Sequence, residues 1–428
     1  MIRALHSFTE GRWQDRGGES RPLQDAATGE IVATLPTTGP DPAGGSFAGR
    51  HILTPRLGAA VQINAFNFPV WGMLEKFAPA FIAGMPSVVK PASQTAYLAE
   101  LVVRRIVDSG LLPHGTLSLL CAGPAGLLDS LTAQDTLGFT GSAATALALR
   151  THPVVAGRPV AFNAEADSLN CSILGPDVSA DDPEFTLYVE QLVTEMTVKA
   201  GQKCTAIRRA FVPARLADAV TDAVMVRLSR VVVGHPGSAD TDMGPLASLG
   251  QREEVRAAIG QLSTGAKLVF GDPRGVHVSG ADAERGAFLS PMLLRCDDVH
   301  TATPHEVEAF GPVSTLLPYA DPDEVIAAAA LGGGSLVGSI VTRDHEVARR
   351  LVTGLAPWHG RLLVLDRDDA AESTGHGTAM PQLLHGGPGR AGGGSELGGL
   401  RALTHYMQRT AVQGHPDFLR SVHPTEMS

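Results

Sequence analysis

The sequence predicts an α/β fold with two regions built on mostly parallel sheets. Short apolar runs alternate with segments of helical period from His51 to Arg150, the pattern of βαβ units in a doubly wound sheet. The alternation resumes near Asn170 and continues to Leu362, so a second α/β region of comparable size follows. The 428 residues include 48 glycines and 29 prolines, which predicts many tight turns and close backbone approaches.

The first 50 residues show little periodicity, and Thr28-Gly29 and Thr37 to Gly45 (TTGPDPAGG) read as turns and a linker. His51 to Ile63 alternates and ends in an apolar strand, AAVQI. Asn64 to Pro69 (NAFNFP) is a sharp turn, and Trp71 to Gly84 has helical spacing closed by Gly84 and Pro86. Ser87 to Lys90 is a short strand stopped by Pro91. Ala96 to Ser109 is an amphipathic helix, Leu117 to Cys121 a strand, Leu127 to Leu131 a short helix, and Thr136 to Thr140 a strand. Gly141-Ser142 then opens a helix to Arg150. In the second region the strand CSILG precedes a long helix, Glu184 to Lys199. Ile207 to Pro213 is a strand and Ala214 to Leu228 a helix. Further strands lie near Val269, Ser314, Leu336 and Leu362. Val325 to Val341 is broken by Gly332, Gly333 and Gly334, so it reads as an interrupted buried element and not a membrane span. Gly386 to Gly399 is a Gly-rich loop without the Lys-Ser/Thr of a phosphate loop. Arg401 to Val412 alternates as a late strand.

A net charge of −10 argues against a nucleic-acid partner, which requires clustered Lys and Arg. Met1 to Trp13 has no apolar run of the secretory kind, and no uniformly apolar window indicates a membrane partner. Four cysteines without a CxxC pair predict neither a disulfide scaffold nor a zinc site, and a cytoplasmic location is the simplest expectation.

Cys204 sits in KAGQKCTAI, in a small-residue turn between a helix and a strand. Lys199, Lys203 and Arg208 are near in sequence, and positive charge lowers a thiol pKa and favours a nucleophilic thiolate. A buried structural cysteine is the alternative of equal weight. Glu165, in FNAEADS between two apolar strands, is placed for partial desolvation and general-base work, or for a simple cap. Asn67, in the turn before Phe68-Pro69, offers an amide donor to a developing oxyanion, or serves the turn alone. Cys121, Cys171 and Cys296 read as core thiols. His376 and His385 flank the Gly-rich segment without a third ligand, so no metal is expected there. Lys199, Arg208 and Arg209 form a small basic group that meets an anionic substrate or lies at the surface.

NAFNFP at Asn64 to Pro69, VVKPA at Val88 to Ala92, FTGS at Phe139 to Ser142, Glu165, GQKC at Gly201 to Cys204 and EAFGP at Glu308 to Pro312 occur in the order found in the aldehyde dehydrogenase superfamily. The finer resemblance is to the dehydrogenase half of the bifunctional ring-opening proteins of bacterial phenylacetate degradation. It rests on FPVWGMLEK (Phe68 to Lys76), EADSLN (Glu165 to Asn170), AGQKCTAIRR (Ala200 to Arg209), ESTGH (Glu372 to His376) and HGGPGRAGGG (His385 to Gly394).

The resemblance implies a Rossmann-type cofactor domain from residues 1–47 and 63–166, an α/β catalytic domain from 167–400, and oligomerisation strands at 48–62 and 401–414. It implies oxidation of an aldehyde, CoA-linked by the finer resemblance, to the acid. Cys204 would be the nucleophile, Glu165 the base that activates water, and the Asn67 amide with the Cys204 N–H the oxyanion hole. Lys90 would hold the adenosine ribose, Glu308 with neighbouring Phe310 the nicotinamide ribose end, and Gly141 and Ser142 the pyrophosphate. Ser93, where a carboxylate would repel a 2′-phosphate, implies NADP, with NAD as the alternative. A homodimer or higher homo-oligomer follows from the exposed strand edges.

Two departures stand out. Too few residues separate Trp13 from Asn67 for the helices the family carries there, which should expose apolar surface, widen the substrate tunnel or require a covering partner. Ala146 also replaces a usual glycine in the helix after Gly141. A non-redox cysteine hydrolase or acyl-transfer enzyme, or a scaffold partner that has lost dinucleotide binding, therefore stands as the alternative function.

Overall fold

The computed structural model describes residues 3–9, 12–14, 20–24, 31–36, 47–123, 126–380, 382–383 and 385–422. The expected turn at Thr28-Gly29 and the linker Thr37 to Gly45 lie outside these described residues. The chain divides into two compact units, one of Met1–Thr54 with Gln408–Ser428 and one of Pro55–Met407.

The smaller unit is built of short strands and a C-terminal helix, Pro416–Ser421. β1 (Arg3–Ala4) runs parallel to β5 (Ile31–Pro36), and β4 (Ser20–Gln24) pairs with β5 antiparallel. β2 (Ser7–Thr9) and β3 (Arg12–Gln14) form a hairpin. The segment expected to be irregular therefore contains strands; they are too short and too polar to impose an apolar period. β6 (Ala48–Pro55) pairs with β19 (Met407–Gly414) as a two-stranded sheet.

The larger unit contains two sheets. The first comprises β7 (Ala60–Ile63), β8 (Ser87–Lys90), β9 (Leu117–Leu119), β10 (Thr136–Thr140) and β11 (Ala161–Glu165). All pairs are parallel and the order is β11-β10-β7-β8-β9. This is a doubly wound order whose switch point lies between β7 and β10. Ala60–Ile63, expected with the separate strand pair, belongs here because the AVQI run is buried on both faces, as a central parallel strand must be. The connecting helices are α1 (Trp71–Ile82), α2 (Ala96–Asp108), α3 (Ala143–Arg150) and α4 (Pro153–Gly157). Leu128–Ser130 is a 3₁₀ turn. Ser142 caps α3 by accepting from the Thr145 amide. Ala146 is buried against Phe139, Ala164 and Ala166, so its methyl fills space rather than creating strain. Trp71 and Tyr97, at the starts of α1 and α2, are 70 % and 68 % exposed, and Ile82 at the end of α1 and Leu101 in α2 are exposed as well. Apolar side chains thus lie open on both helices.

The second sheet has seven strands in the order β14-β15-β16-β13-β12-β17-β18. These are β12 (Cys171–Leu174), β13 (Arg209–Pro213), β14 (Lys267–Phe270), β15 (Met292–Arg295), β16 (Val313–Tyr319), β17 (Ser335–Val341) and β18 (His359–Leu365). All pairs are parallel except β14 with β15. Successive side chains alternate between two cores. Ile173 and Phe211 pack with α7 (Leu249–Leu262), α9 (Pro322–Ala330) and α10 (His345–Leu355). Leu174 and Val212 pack with α5 (Pro183–Thr197) and α6 (Ala217–Leu228); α8 (Thr303–Glu306) is a single turn. The long helix ends at Thr197, not at Lys199, and Arg401 to His405 is 3₁₀ where a strand was expected.

Buried polar groups brace the second sheet. Asn170 joins the end of one sheet to the start of the other. Its Nδ2 donates to the carbonyls of Cys204 (2.8 Å) and Ala206 (3.0 Å), and its Oδ1 accepts from Ser168 Oγ (2.6 Å) and Val337 N (3.0 Å). Its own carbonyl accepts from the amides of Arg208 and Arg209. Arg209 is fully buried and donates to the carbonyls of Leu169, Ala328 and Ala329. His305 Nε2 donates to Val299 O and its Nδ1 accepts from Arg209. His359 Nδ1 donates to Leu355 O, leaving Nε2 to accept the Cys171 thiol proton at 3.3 Å. Burial holds His305 and His359 down at about 4 and His376 at about 3.

Replacing Asn170 by Ala leaves two carbonyls and an amide unpaired in the core. We expect a loss of about 3–5 kcal/mol in denaturant unfolding, far above a surface substitution. A change below ~1 kcal/mol would show that the bridge is not structural. The three histidines are neutral in the folded state but protonate in the unfolded chain below its pKa near 6.5. Their contribution to stability is therefore present at pH 7.5 and declines as pH falls toward about 4, by roughly 4 kcal/mol at pH 5.5 for the three together, while the buried carboxyls of Glu308 and Glu396, raised to about 7 and about 8, act in the opposite sense. The test compares His359→Gln with the parent: denaturant unfolding at the two pH values should show the variant losing about 1.3 kcal/mol less, or gaining that much more, as pH falls from 7.5 to 5.5.

Candidate active site

The carboxyl ends of β7, β8, β10 and β11 lie on one edge of the first sheet, and each delivers a residue singled out in the sequence. Asn64 and the Asn64 to Pro69 turn follow β7, Lys90 ends β8, Gly141 follows β10, and Glu165 ends β11. The Gly141 amide donates to the Glu165 carbonyl (3.1 Å), tying these last two ends together. The Gly-rich segment closes on β11: Ala166 N donates to Ala391 O, and Asn163 exchanges hydrogen bonds with the Ser395 backbone. Glycine is required at 392, where φ is +112° and a Cβ would fall 2.2 Å from the Ala164 carbonyl.

Cys204 follows the end of α5 and a 3₁₀ turn, Val198–Gly201. It is part-buried, and the Glu165 carboxylate is near enough to its thiol to raise the thiol pKa. The structure thus joins the candidate nucleophile to the candidate base from two different sheets. Asn67, buried in the turn after β7, accepts from Lys199 Nζ through its carbonyl. Among the described residues its side-chain amide donates to no protein acceptor.

The electrostatics reverse the expectation for Cys204. Burial pushes its thiol well above the ordinary range, and the Glu165, Glu396 and Glu75 carboxylates push it further. The cations near in sequence are turned elsewhere. Lys203 pairs with Glu195 at 2.7 Å, Arg208 with Glu308 at 3.4 Å, and Lys199 lies on Asn67. Arg209 is locked in the core. No basic group forms for an anionic substrate from Lys199, Arg208 and Arg209. Glu396 is raised to about 8 by burial and by Glu165 and Glu75; Glu75 is raised by burial against the pull of Lys76. Lys76 is buried, 3.8 Å from Glu75, and Trp71 Nε1 donates to Glu75 at 2.9 Å. Glu75, Lys76 and Glu396 were not singled out; a charged pair inside the apolar helix WGMLEKFAPAFI was the available signal.

The proposed cofactor residues fall into two groups. Lys90 Nζ bonds the Pro91 carbonyl (3.0 Å), and Ser93 and Ser142 are exposed. Glu308 is raised to about 7 by burial against the pull of Arg208, and accepts from the Ser168 amide. Phe310 stacks edge-on to Phe66 and beneath Arg208. A dinucleotide fits this edge. The side chain of Asn64 and the hydroxyl of Thr140, at the ends of the two strands flanking the switch point, are buried with no partner. One group already sits at the helix start: Asp167 Oδ1 accepts from Ala143 N at 2.9 Å.

One further expectation changes. Cys121 is exposed because β9 is an edge strand that ends before it, while Cys171 and Cys296 are buried. His376 is buried, with Nδ1 2.9 Å from Ser339 Oγ, and His385 is part-buried, 3.7 Å from Glu396. Among the described residues no three His, Cys, Asp or Glu side chains gather for a metal, and no helix is long and apolar enough to cross a membrane.

Comparison with known proteins places this geometry. Residues 45–412 match the model of the aldehyde dehydrogenase family. The chain is 48 % identical over 343 residues to the 3,4-dehydroadipyl-CoA semialdehyde dehydrogenase of Aromatoleum evansii, covering 80 % of this chain and 67 % of that protein. It is 47 % identical over 182 residues to protein MaoC of Klebsiella aerogenes, covering 42 % and 52 %. The chain thus spans about two thirds or less of these relatives. Its fold matches betaine aldehyde dehydrogenase of Staphylococcus aureus in complex with NAD⁺, with a TM-score of 0.75 and 24 % identity over 89 % of this chain and 72 % of the other. It also matches aldehyde dehydrogenase C of Pseudomonas syringae in complex with NAD⁺ and octanal, with a TM-score of 0.72 and 25 % identity over 85 % and 70 %. The chain belongs to the aldehyde dehydrogenase family.

Proposed function

We propose that the chain oxidises an aldehyde to its carboxylic acid through Cys204, with a CoA-linked semialdehyde as the substrate class. The observation that carries this reading is the Glu165 carboxylate near the Cys204 thiol, supported by an Asn67 side-chain amide that donates to no protein acceptor among the described residues. Glu165 accepts the thiol proton as sulfur adds to the aldehyde carbon. The Asn67 amide and the Cys204 backbone N–H receive the charge that develops on the carbonyl oxygen. When bound, the nicotinamide dinucleotide supplies the hydride acceptor that makes the oxidation possible. Glu165 gives that proton up to solvent, then takes a proton from water as it attacks the Cys204 thioester and passes it to the leaving sulfur, releasing the acid and restoring the thiol. Glu396, raised to about 8, holds a proton beside Glu165 at neutral pH and keeps a second negative charge away from it.

The cofactor is assigned to residues 63–166, with Lys90 and Glu308 at its two riboses, Phe310 beside Glu308, and Gly141 and Ser142 at the pyrophosphate. The exposed Ser93 presents no carboxylate to a 2′-phosphate, which supports NADP; NAD is the alternative. Residues 167–400 supply Cys204, and the strands within 48–62 and 401–414 are proposed as the edge that pairs two copies. The 48 % identity to a CoA-semialdehyde dehydrogenase supports the substrate class.

Reduced-nicotinamide absorbance, with NADP or NAD and a panel of free and CoA-linked semialdehydes, should show turnover that Cys204→Ala removes by more than about 10³-fold. If the dinucleotide does not bind while Cys204 still alkylates, the reading shifts to a non-redox thiol enzyme. Glu165→Gln makes a sharper pair of expectations. It should abolish acid release, yet speed iodoacetamide alkylation of Cys204 at pH 8, because removing a facing carboxylate lowers the thiol pKa. Slower alkylation in that variant would mean that Glu165 activates the resting thiol instead of holding its proton.

A further inference from the structure

The loop before Cys204 contains a conformation that this reaction scheme does not use. Lys199, Ala200 and Gly201 take left-handed φ values of +54°, +51° and +67° in succession. Gly201 meets the requirement without a side chain: a Cβ there would fall 2.1 Å from the Gly311 carbonyl. Lys199 and Ala200 are L-residues in a region that disfavours them, so their surroundings must hold them there. The holding contact is visible at Lys199. Its Nζ donates to the Asn67 carbonyl and stands 3.5 Å from the centroid of the Phe68 ring. The residue is exposed overall, yet desolvation around the ammonium draws its pKa down while Cys204 opposes the shift. Neither neighbouring cation duplicates this link, since Lys203 is held by Glu195 and Arg208 by Glu308.

We propose that Lys199 is a positioning residue that bridges the Cys204 loop to the Asn67–Phe68 turn and sets the separation between the thiol and the Asn67 amide. The inference rests on the reading of Asn67 as the oxyanion donor. Gripping the Asn67 carbonyl orients the peptide plane between Asn67 and Phe68. The ammonium over the Phe68 ring fixes the next side chain. The free Asn67 side-chain amide is then held ready before any charge develops on the substrate oxygen. Such preorganisation acts on the transition state and leaves ground-state binding alone.

The test compares Lys199→Met and Lys199→Arg in the full chain. Methionine keeps an unbranched apolar stem without the charge, and kcat should fall roughly 10- to 100-fold with the aldehyde KM within about twofold. Arginine can both reach a carbonyl and stack on an aromatic ring, so it should restore kcat to within about fivefold. Dinucleotide affinity, read by fluorescence quenching, should be unchanged in both. In an Asn67→Ala background, Lys199→Met should cost less than about threefold more, because the two act as one unit. Full additivity, a loss confined to KM, or an unchanged kcat overturns the proposal. If Asn67→Ala slows the enzyme while Lys199→Met does not, only the role of Lys199 fails; if Asn67→Ala is as active as the parent, the oxyanion reading fails with it. Should Lys199→Met not fold by circular dichroism, Phe68→Leu removes the ring beneath the ammonium. It should lower kcat several-fold with KM unchanged, and an unaltered kcat there overturns the proposal.

Discussion

Asn170 is the constraint on which the arrangement of the larger unit depends. Five residues before it the chain leaves the first sheet at Glu165; one residue after it the chain enters the second sheet at Cys171. In between, its side chain holds the Cys204 and Ala206 carbonyls, while its backbone carbonyl takes the amides of Arg208 and Arg209. The loop bearing the thiol is therefore fixed to one buried amide, five residues along the chain from the strand that bears the carboxylate. An amide suits this task because it donates on one side and accepts on the other, and Val337 N and Ser168 Oγ use the accepting side. An aspartate would present no donor to the two carbonyls, and an apolar side chain would satisfy none of these groups.

Much of the fold was legible in the sequence because it rests on periodicity. The helix Trp71–Ile82, the strand Ser87–Lys90 and the helix start at Ser142 follow from apolar spacing, Gly84 and a capping hydroxyl. What escaped was set by pairing across the chain. The short strands before Gln24 become strands only through their partners, which local spacing does not encode. Met292–Arg295 is a four-residue strand whose identity comes from lying beside β16. Arg401 to His405 alternates like a strand but forms a 3₁₀ turn, where Ala402 and Tyr406 pack into the core beneath α1.

The candidate site was legible as a set of residue types, less so as an electrostatic environment. Cys204, Glu165 and Asn67 were visible from turns, strand ends and resemblance, and the first two meet in the structure. The effect of Lys199, Lys203 and Arg208 was misread because proximity in sequence says nothing about direction. Each cation is taken up by another partner, and those partners, Asn67, Glu195 and Glu308, lie from 8 to 132 residues away. Glu396 lies 192 positions beyond Cys204 in a segment whose glycines drew attention instead, yet those glycines are what let its backbone press against β11.

The resulting field has a chemical logic. A thiol faced by Glu165, Glu396 and Glu75 stays protonated at neutral pH, which protects it from adventitious alkylation and oxidation. Two of those carboxylates are themselves raised, so the cluster shares protons instead of accumulating three negative charges. Buried Lys76 beside Glu75 offsets part of what remains. A proton that such a cluster takes up lessens the repulsion among its carboxylates, and moving it on among neighbouring carboxyl groups leaves the total charge unchanged. Activation of the thiol then requires an added positive charge or a substrate carbon that consumes the sulfur lone pair as the proton leaves. The same arrangement serves both halves of the proposed reaction: Glu165 first receives the proton of a thiol and later that of a water, with raised carboxyls beside it to share the load.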